Sequence, residues 1–279
     1  MRFMTSAAVA ALLLVSSLDV STGAARRANF SRLVDRTAAA HPNALWHIVH
    51  DLCIPDMKTR GGPAPCSVVN LSGGYAVLKD IQGATQYLLL PTAHITGIES
   101  PALLDPASPN YWQAAWSARS LFEQKIGRPA PREDVGLAVN SLYGRTQNQL
   151  HIHIDCVRAD VRQTIADHGE AITDRWSYLR IGPSDAAYHV RWIAGADLGA
   201  RDPFKLLARE DALARTDMGR ETLVLIGARR RDGAPGFVLL SHRADLARGD
   251  QAAGEELLDH RCAVLAAPPA SAPSSAPAS

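Results

Sequence analysis

The stretch TQNQLHIHIDC, residues 146–156, sets two histidines one residue apart inside an apolar run. Read as a β-strand, it alternates: Gln149, His151, His153 and Asp155 point to one face, and Leu150, Ile152 and Ile154 point to the other, toward a core. Three uses of two such imidazoles compete: metal ligands, a nucleophile with its neighbour, or a half-buried strand that happens to carry histidine. A metal site needs three or four ligands. His151 and His153 supply two and Asp155 offers a third, but positions four apart on a strand are about 13 Å apart. Asp155 and Gln149 therefore do not close on one ion without a bend. His47 and His50, in WHIVHD, are further ligand candidates from a helix-like segment. The nucleophile reading accounts for more. A neutral imidazole attacks phosphorus well once a neighbour fixes which nitrogen is free. The turn ahead of the strand, Gly144-Arg145-Thr146-Gln147-Asn148, is rich in donors for phosphate oxygens and a leaving group.

Outward from this stretch, the chain reads as an α+β unit. GYAVLKD (74–80) and TQYLLLP (85–91) are strand-like and joined by IQGA as a hairpin. SPNYWQAAWSARSLFEQKIG (108–127) predicts a helix capped by Ser108, with Pro109 at its first position and Gly127 at its end. Its apolar face, Trp112, Trp116, Leu121 and Phe122, is assigned to core packing rather than to a lipid. DVGLAVN and QLHIHIDC follow as strands around the turn SLYGRTQN. A helix is expected over 28–53, then a loop to Pro65. A second α/β stretch, about 175–265, has strands at AYHVRWI, ETLVLIGARR and GFVLLSH, and helices at DPFKLLAREDALA and DQAAGEELLDHRC. Its element order echoes the first half as a degenerate repeat without a shared motif. The tail 266–279 is low-complexity and expected to be disordered.

With 279 residues, 47% of them hydrophobic, the chain can bury a sizeable core. A net charge of +1 gives no nucleic-acid footprint, and nothing in the composition specifies an oligomeric state. Residues 1–25, MRFMTSAAVAALLLVSSLDVSTGAA, have Arg2, an apolar core from Ala7 to Leu18 and then small residues, the layout of a secretory signal cut near Ala24 or Ala25. Arg26 and Arg27 follow at once and disfavour export, so an uncleaved N-terminal anchor stays open. Either reading puts the rest of the chain in an oxidising compartment. Four cysteines, Cys53, Cys66, Cys156 and Cys262, allow three pairings. Cys53 and Cys66 flank the loop IPDMKTRGGPAP, which favours a local clip and leaves Cys156 to tie the motif strand to Cys262; buried free thiols are the alternative.

VNSLYGRTQNQLHIHI resembles the signature of the histidine-triad (HIT) superfamily, in which three alternating histidines follow an Asn-bearing strand and a Gly-x-Ser/Thr turn. In that register Gln149, His151 and His153 occupy the triad places, and Gln149 departs from the pattern by replacing the first imidazole. The resemblance implies that His151 is the nucleophile and that His153 lines and steadies the site. It further implies that Asn140 and Thr146 serve the phosphate region, that His94 (in YLLLPTAHITGIES) lies near the catalytic imidazole, and that Asp80 lies where the nucleotide ribose is held; Arg145, in the donor-rich turn, is either a phosphate contact or a solvated turn residue. Over residues 45–262, the combination of GYAVLKD, QYLLLPT, ESP, GRTQN, HIHI-x-C and FVLLS is similar to the bacterial CDP-diacylglycerol pyrophosphatases. That resemblance implies a HIT-like domain over 28–265, with core motifs at 67–160. It implies cleavage of membrane-borne CDP-diacylglycerol to CMP and phosphatidate in the cell envelope, at the periplasmic side of the inner membrane, with no metal or cofactor in the scheme. Two rivals remain: action on other nucleoside diphosphate anhydrides, and a non-catalytic envelope protein that binds lipid or nucleotide.

Overall fold

The computed structural model describes residues 41–266. The expected signal or anchor (1–25), the first part of the helix expected over 28–53, and tail residues 267–279 lie outside the described residues. Two helices open the described chain: α1 (Ala44–His47) runs through a π-helical stretch, Ile48–Cys53, directly into α2 (Ile54–Arg60). The helix thus continues past Cys53, where a loop was expected. Proline removes a helical hydrogen bond and crowds the carbonyl four residues back. Here the wider π-helical register stands immediately ahead of Pro55, which falls in the first turn of α2, so the interruption is absorbed and the helix survives. Gly61, at φ 69°, ends it in the left-handed region.

The nine strands of the described residues are β1 (Val68–Asn70), β2 (Tyr75–Lys79), β3 (Tyr87–Pro91), β4 (Val135–Val139), β5 (Ile152–Cys156), β6 (Ser177–Ile181), β7 (Ala186–Ala194), β8 (Glu221–Arg229) and β9 (Pro235–Arg243). They form one sheet in the order β1-β2-β3-β5-β4-β8-β9-β7-β6, antiparallel at every pairing. β1 and β6 were not expected; both are short, and β6 lies at an edge with an exposed pattern that offers no clean alternation. The order β2-β3-β5-β4 recurs from the other edge as β6-β7-β9-β8, and β4 pairs with β8 at the seam.

Helix α3 (Tyr111–Ile126) lies between β3 and β4 in sequence, as α5 (Pro203–Glu210) and α6 (Ala212–Thr216) lie between β7 and β8. α3 is capped by Asn110, whose side chain accepts the Gln113 N–H at 3.1 Å, and not by Ser108. Asn110 adjoins the first helical residue and Ser108 does not. Trp112, Trp116 and Phe122 are buried in one core with Leu137, Ile152, Ile154, Phe204 and Leu239, and Leu121 packs against it. The aromatic face is therefore core. Truncating one of these rings to alanine would cost about 3–5 kcal/mol. A second core, on the opposite face of the sheet, joins Val224, Val238, Leu240 and Trp192 to Val161 and Ile165 of α4 (Ala159–His168).

DQAAGEELLDHRC does not form the expected helix. It keeps a single 3-10 turn, Gly254–Leu257. Its helix-forming residues are overridden by ties to the sheet: Leu258 bridges to Val157, the Asn140 side chain accepts the Glu255 N–H, and Cys262 is bonded to Cys156. Both expected disulfides are present, Cys53–Cys66 and Cys156–Cys262, and no described cysteine is free.

Candidate active site

β5 places its side chains as the alternation requires. Ile152 and Ile154 enter the helix-side core, and His151 and His153 stand together on the other face, ring centroids 4.9 Å apart and edge to face. Both imidazoles are almost fully buried. They are not equivalent. His151 Nδ1 lies 2.7 Å from the carbonyl oxygen of Gln149, which only accepts, so Nδ1 carries the proton and Nε2 is left with its lone pair. Burial first, and then the neighbouring His153, push the His151 pKa down to about 4, so the ring is neutral at pH 7.

His153 has the opposite tautomer. The Gln86 amide nitrogen lies 2.5 Å from Asp80 Oδ2 and 3.0 Å from His153 Nδ1. The carboxylate requires a donor, so the amide NH2 faces both, and His153 accepts at Nδ1 and carries its proton on Nε2. That N–H faces Glu255, whose Oε2 is 3.1 Å away but off the line a full hydrogen bond needs. Burial outweighs the nearby Asp80 carboxylate and lowers the His153 pKa. One strand thus presents a bare ring nitrogen at His151 and a donor at His153.

The supporting groups come from several elements. Gln149 is fully buried and donates to the carbonyls of Pro91 (3.0 Å) and Ala93 (2.9 Å), tying β5 to the end of β3; its Oε1 has no partner among the described residues. Asp155, also fully buried, accepts from Thr85 Oγ1 (2.7 Å) and pairs with His260 Nδ1 (2.9 Å). That bond raises the His260 pKa above its ordinary value. Ser141 pins the turn to β5: its Oγ accepts the N–H groups of Tyr143 and Gly144, both at 3.0 Å, and donates to the Gln251 carbonyl.

The remaining candidates fall in three places. Asn140 holds the backbone of Glu255, as described above. Asp80 accepts from Gln82 N–H and Gln86 and thus backs His153. Thr146 is exposed on the turn. Arg145 is neither solvated nor open: its guanidinium is largely buried and bonds Glu99 at 2.5 Å. It passes so close to Gly97 that any side chain at 97 would collide with it. Burial would raise the Glu99 carboxyl, but hydrogen bonds from Arg145 and Thr96 hold it below its ordinary value. His94 is exposed and lies against Trp46, centroids 4.8 Å apart. The further metal-ligand candidates are engaged elsewhere: His47 and His50 both bond Asp51. Among the described residues the one compact ligand-type cluster is Asp155 with Cys156 and Cys262, whose sulfurs are joined to each other. Gln86, Ser141, Glu255 and His260 were not singled out from the sequence; only Cys262, pairing with the motif strand, pointed toward the last two.

The model of the CDP-diacylglycerol pyrophosphatase family matches residues 40–266, the whole of this sheet and site. The chain belongs to that family. A CDP-diacylglycerol pyrophosphatase from Yersinia pestis is 44% identical over 233 residues, which cover 84% of this chain and 89% of that protein. Membership of the pyrophosphatase family makes the chain an enzyme, a hydrolase of phosphoanhydride bonds, and not a non-catalytic binding protein.

Proposed function

We propose that the hydrolysis of CDP-diacylglycerol, the activity of this family, runs through a covalent intermediate on His151. Nε2 of His151 attacks the cytidylyl phosphorus. The anhydride P–O bond breaks and phosphatidate leaves with the electron pair. Water then attacks the phosphohistidine, the P–N bond breaks, CMP is released, and the imidazole is returned neutral. The observation that carries this reading is the pair of opposed tautomers: His151 is held with a free lone pair, and beside it His153 carries its proton on Nε2, a donor for developing phosphoryl charge. Asp80 and Gln86 hold that donor in place. In this scheme Arg145, Thr146, Asn140 and His94 serve the phosphate region, and Glu255, whose carboxylate lies 3.1 Å from His153 Nε2, takes the proton of the resolving water.

The route is tested by hydrolysis in 18O-labelled water. Attack at the cytidylyl phosphorus puts the label in CMP and leaves phosphatidate unlabelled, and rapid quenching into alkali should trap an acid-labile cytidylyl group on His151. Label in phosphatidate would place the attack on the other phosphorus and sink the assignment.

The acid limb of kcat/KM supplies a second measurement. A pKa of about 4 predicts that the nucleophile stays active well below pH 6.5, with activity falling only as pH approaches 4. An acid limb near 6.5 would contradict this. The stability sign follows: the unfolded ring has the higher pKa and binds the proton first, so acidification from about 6.5 toward 4 weakens the fold.

The strand order further supports a HIT-like fold built by duplication, β6-β7-β9-β8 repeating β2-β3-β5-β4 about the β4–β8 seam. In the second half the corresponding face carries Val238 and Leu240 and is closed by α4, which leaves it without a site of its own. An experimental structure whose halves do not superpose by rotation about that seam would refute the duplication.

A further inference from the structure

Among the described residues, eight large apolar side chains are exposed. Strand register and the contacts between turns place six of them on segments at one end of the sheet. Tyr75 pairs with Pro91, Leu89 with Ile152, Val139 with Leu223, and Glu221 with Arg243, which aligns these strand ends on the side where His151 stands. Leu71 is in the β1–β2 turn, and Leu142 and Tyr143 are in the turn between β4 and His151. Leu246 follows β9, Leu213 lies in α6 just ahead of β8, and Leu104 closes the 3-10 turn after Glu99. These turns touch one another: Leu142 N–H donates to the Gly219 carbonyl at 2.8 Å, Arg145 reaches Glu99, and the Arg220 guanidinium lies 6.0 Å from the Tyr143 ring. The two exceptions, Ile81 and Tyr178, lie elsewhere, Ile81 in the β2–β3 turn at the opposite end.

The chain also enters the fold at this end. The Asn148 N–H donates to the Pro42 carbonyl, and the Leu45 N–H to the Gln147 side chain.

We propose that this end of the sheet is the surface that meets the phospholipid bilayer, so that the diacylglycerol part of the substrate stays in the membrane while its anhydride reaches His151. The proposal rests on the reading of His151 as the group that attacks a membrane-borne lipid. Leucines and a tyrosine on turns at the end of the sheet where His151 stands supply what interfacial insertion needs: apolar area to bury, with an aromatic at headgroup depth. Charge adds little, because the half-buried Arg220 and the exposed Arg248 are already paired with Asp217 and Asp245.

The test uses the full chain on vesicles of brominated phosphatidylcholine and phosphatidylglycerol. A Tyr143→Trp variant should show bromine quenching beyond that of the unmodified protein, and an Ile81→Trp variant should not. Equal quenching of the two, or none at Tyr143→Trp, overturns the orientation and leaves the patch to a second copy or a soluble partner. In parallel, Leu142→Asp, Leu213→Asp and Leu246→Asp combined should lower turnover of vesicle-borne CDP-diacylglycerol about tenfold, with turnover of a monomeric short-chain analogue kept within about twofold. Unchanged vesicle turnover, or an equal fall with both substrates, overturns docking. If the unmodified protein fails to cleave the monomeric analogue through His151, the site reading fails instead, and the quenching result still stands alone.

Discussion

Replacing His151 with alanine is expected to abolish CMP release, by about 10^4-fold or more, with the fold intact. The size follows from its role. A residue that forms the covalent bond cannot be bypassed by the donors around it, whereas a residue that only polarises the phosphoryl group leaves a measurable remainder. His153→Ala is accordingly the informative companion. It removes the Nε2–H donor but leaves the attacking nitrogen and its Gln149 carbonyl in place, and should cost about 10^2–10^3-fold, the scale of losing one oxyanion donor. Equal losses from the two substitutions would mean that the imidazoles act as one unit. A His151→Ala variant with wild-type turnover would remove the nucleophile assignment altogether.

Breaking the Cys156–Cys262 disulfide is expected to produce the second large effect. The bond closes 106 residues of sequence separation, and linking so long a loop stabilises a fold by about 3–5 kcal/mol. Its place matters as much as its span. Cys156 is three residues past His153, and Cys262 is two past His260, so the bond holds the 250–262 segment, with Glu255 and His260, against the motif strand. Thr85 Oγ1 lies between Asp155 Oδ1 and Cys262 Sγ, at 2.7 and 3.2 Å. The Cys156→Ala/Cys262→Ala variant should lose stability in denaturant titration and also lose most of its turnover under conditions where it remains folded. Cys53→Ala/Cys66→Ala closes a separation of only 13 and does not touch the site; it should lose less stability and retain turnover. Full activity in the first variant would show that the segment holds its place without the bond.

The parts of the site that were legible in the sequence are those written in a local period. The alternation of Gln149, His151 and His153 sets their shared face within one strand, and the hairpin of β2 and β3 is marked by its turn. The loop between Cys53 and Cys66 marks the first disulfide, and the second follows from what remains. The groups that decide which nitrogen of each ring carries a proton were not legible. Gln86 meets His153 across 67 positions and Glu255 meets it across 102, and neither has a spacing or neighbour that marks it. Arg145 shows the same limit: in sequence it is a turn residue beside a phosphate motif, and only the fold brings Glu99 and Gly97 to it. The misread 250–262 segment is the reverse case, strong local helix preference overruled by Asn140, Val157 and Cys156.

The glutamine at 149 does work that an imidazole at that position would not. A neutral imidazole carries one N–H, and the amide of Gln149 carries two, both of them spent on carbonyls at and just past the end of β3. A histidine there would leave one of those oxygens stranded unless it took on a proton, beside His151, the proposed nucleophile, whose surroundings disfavour positive charge. Gln149→His is therefore expected to lower turnover. At this place Gln149 works as a strap, with two donors where a neutral ring has one.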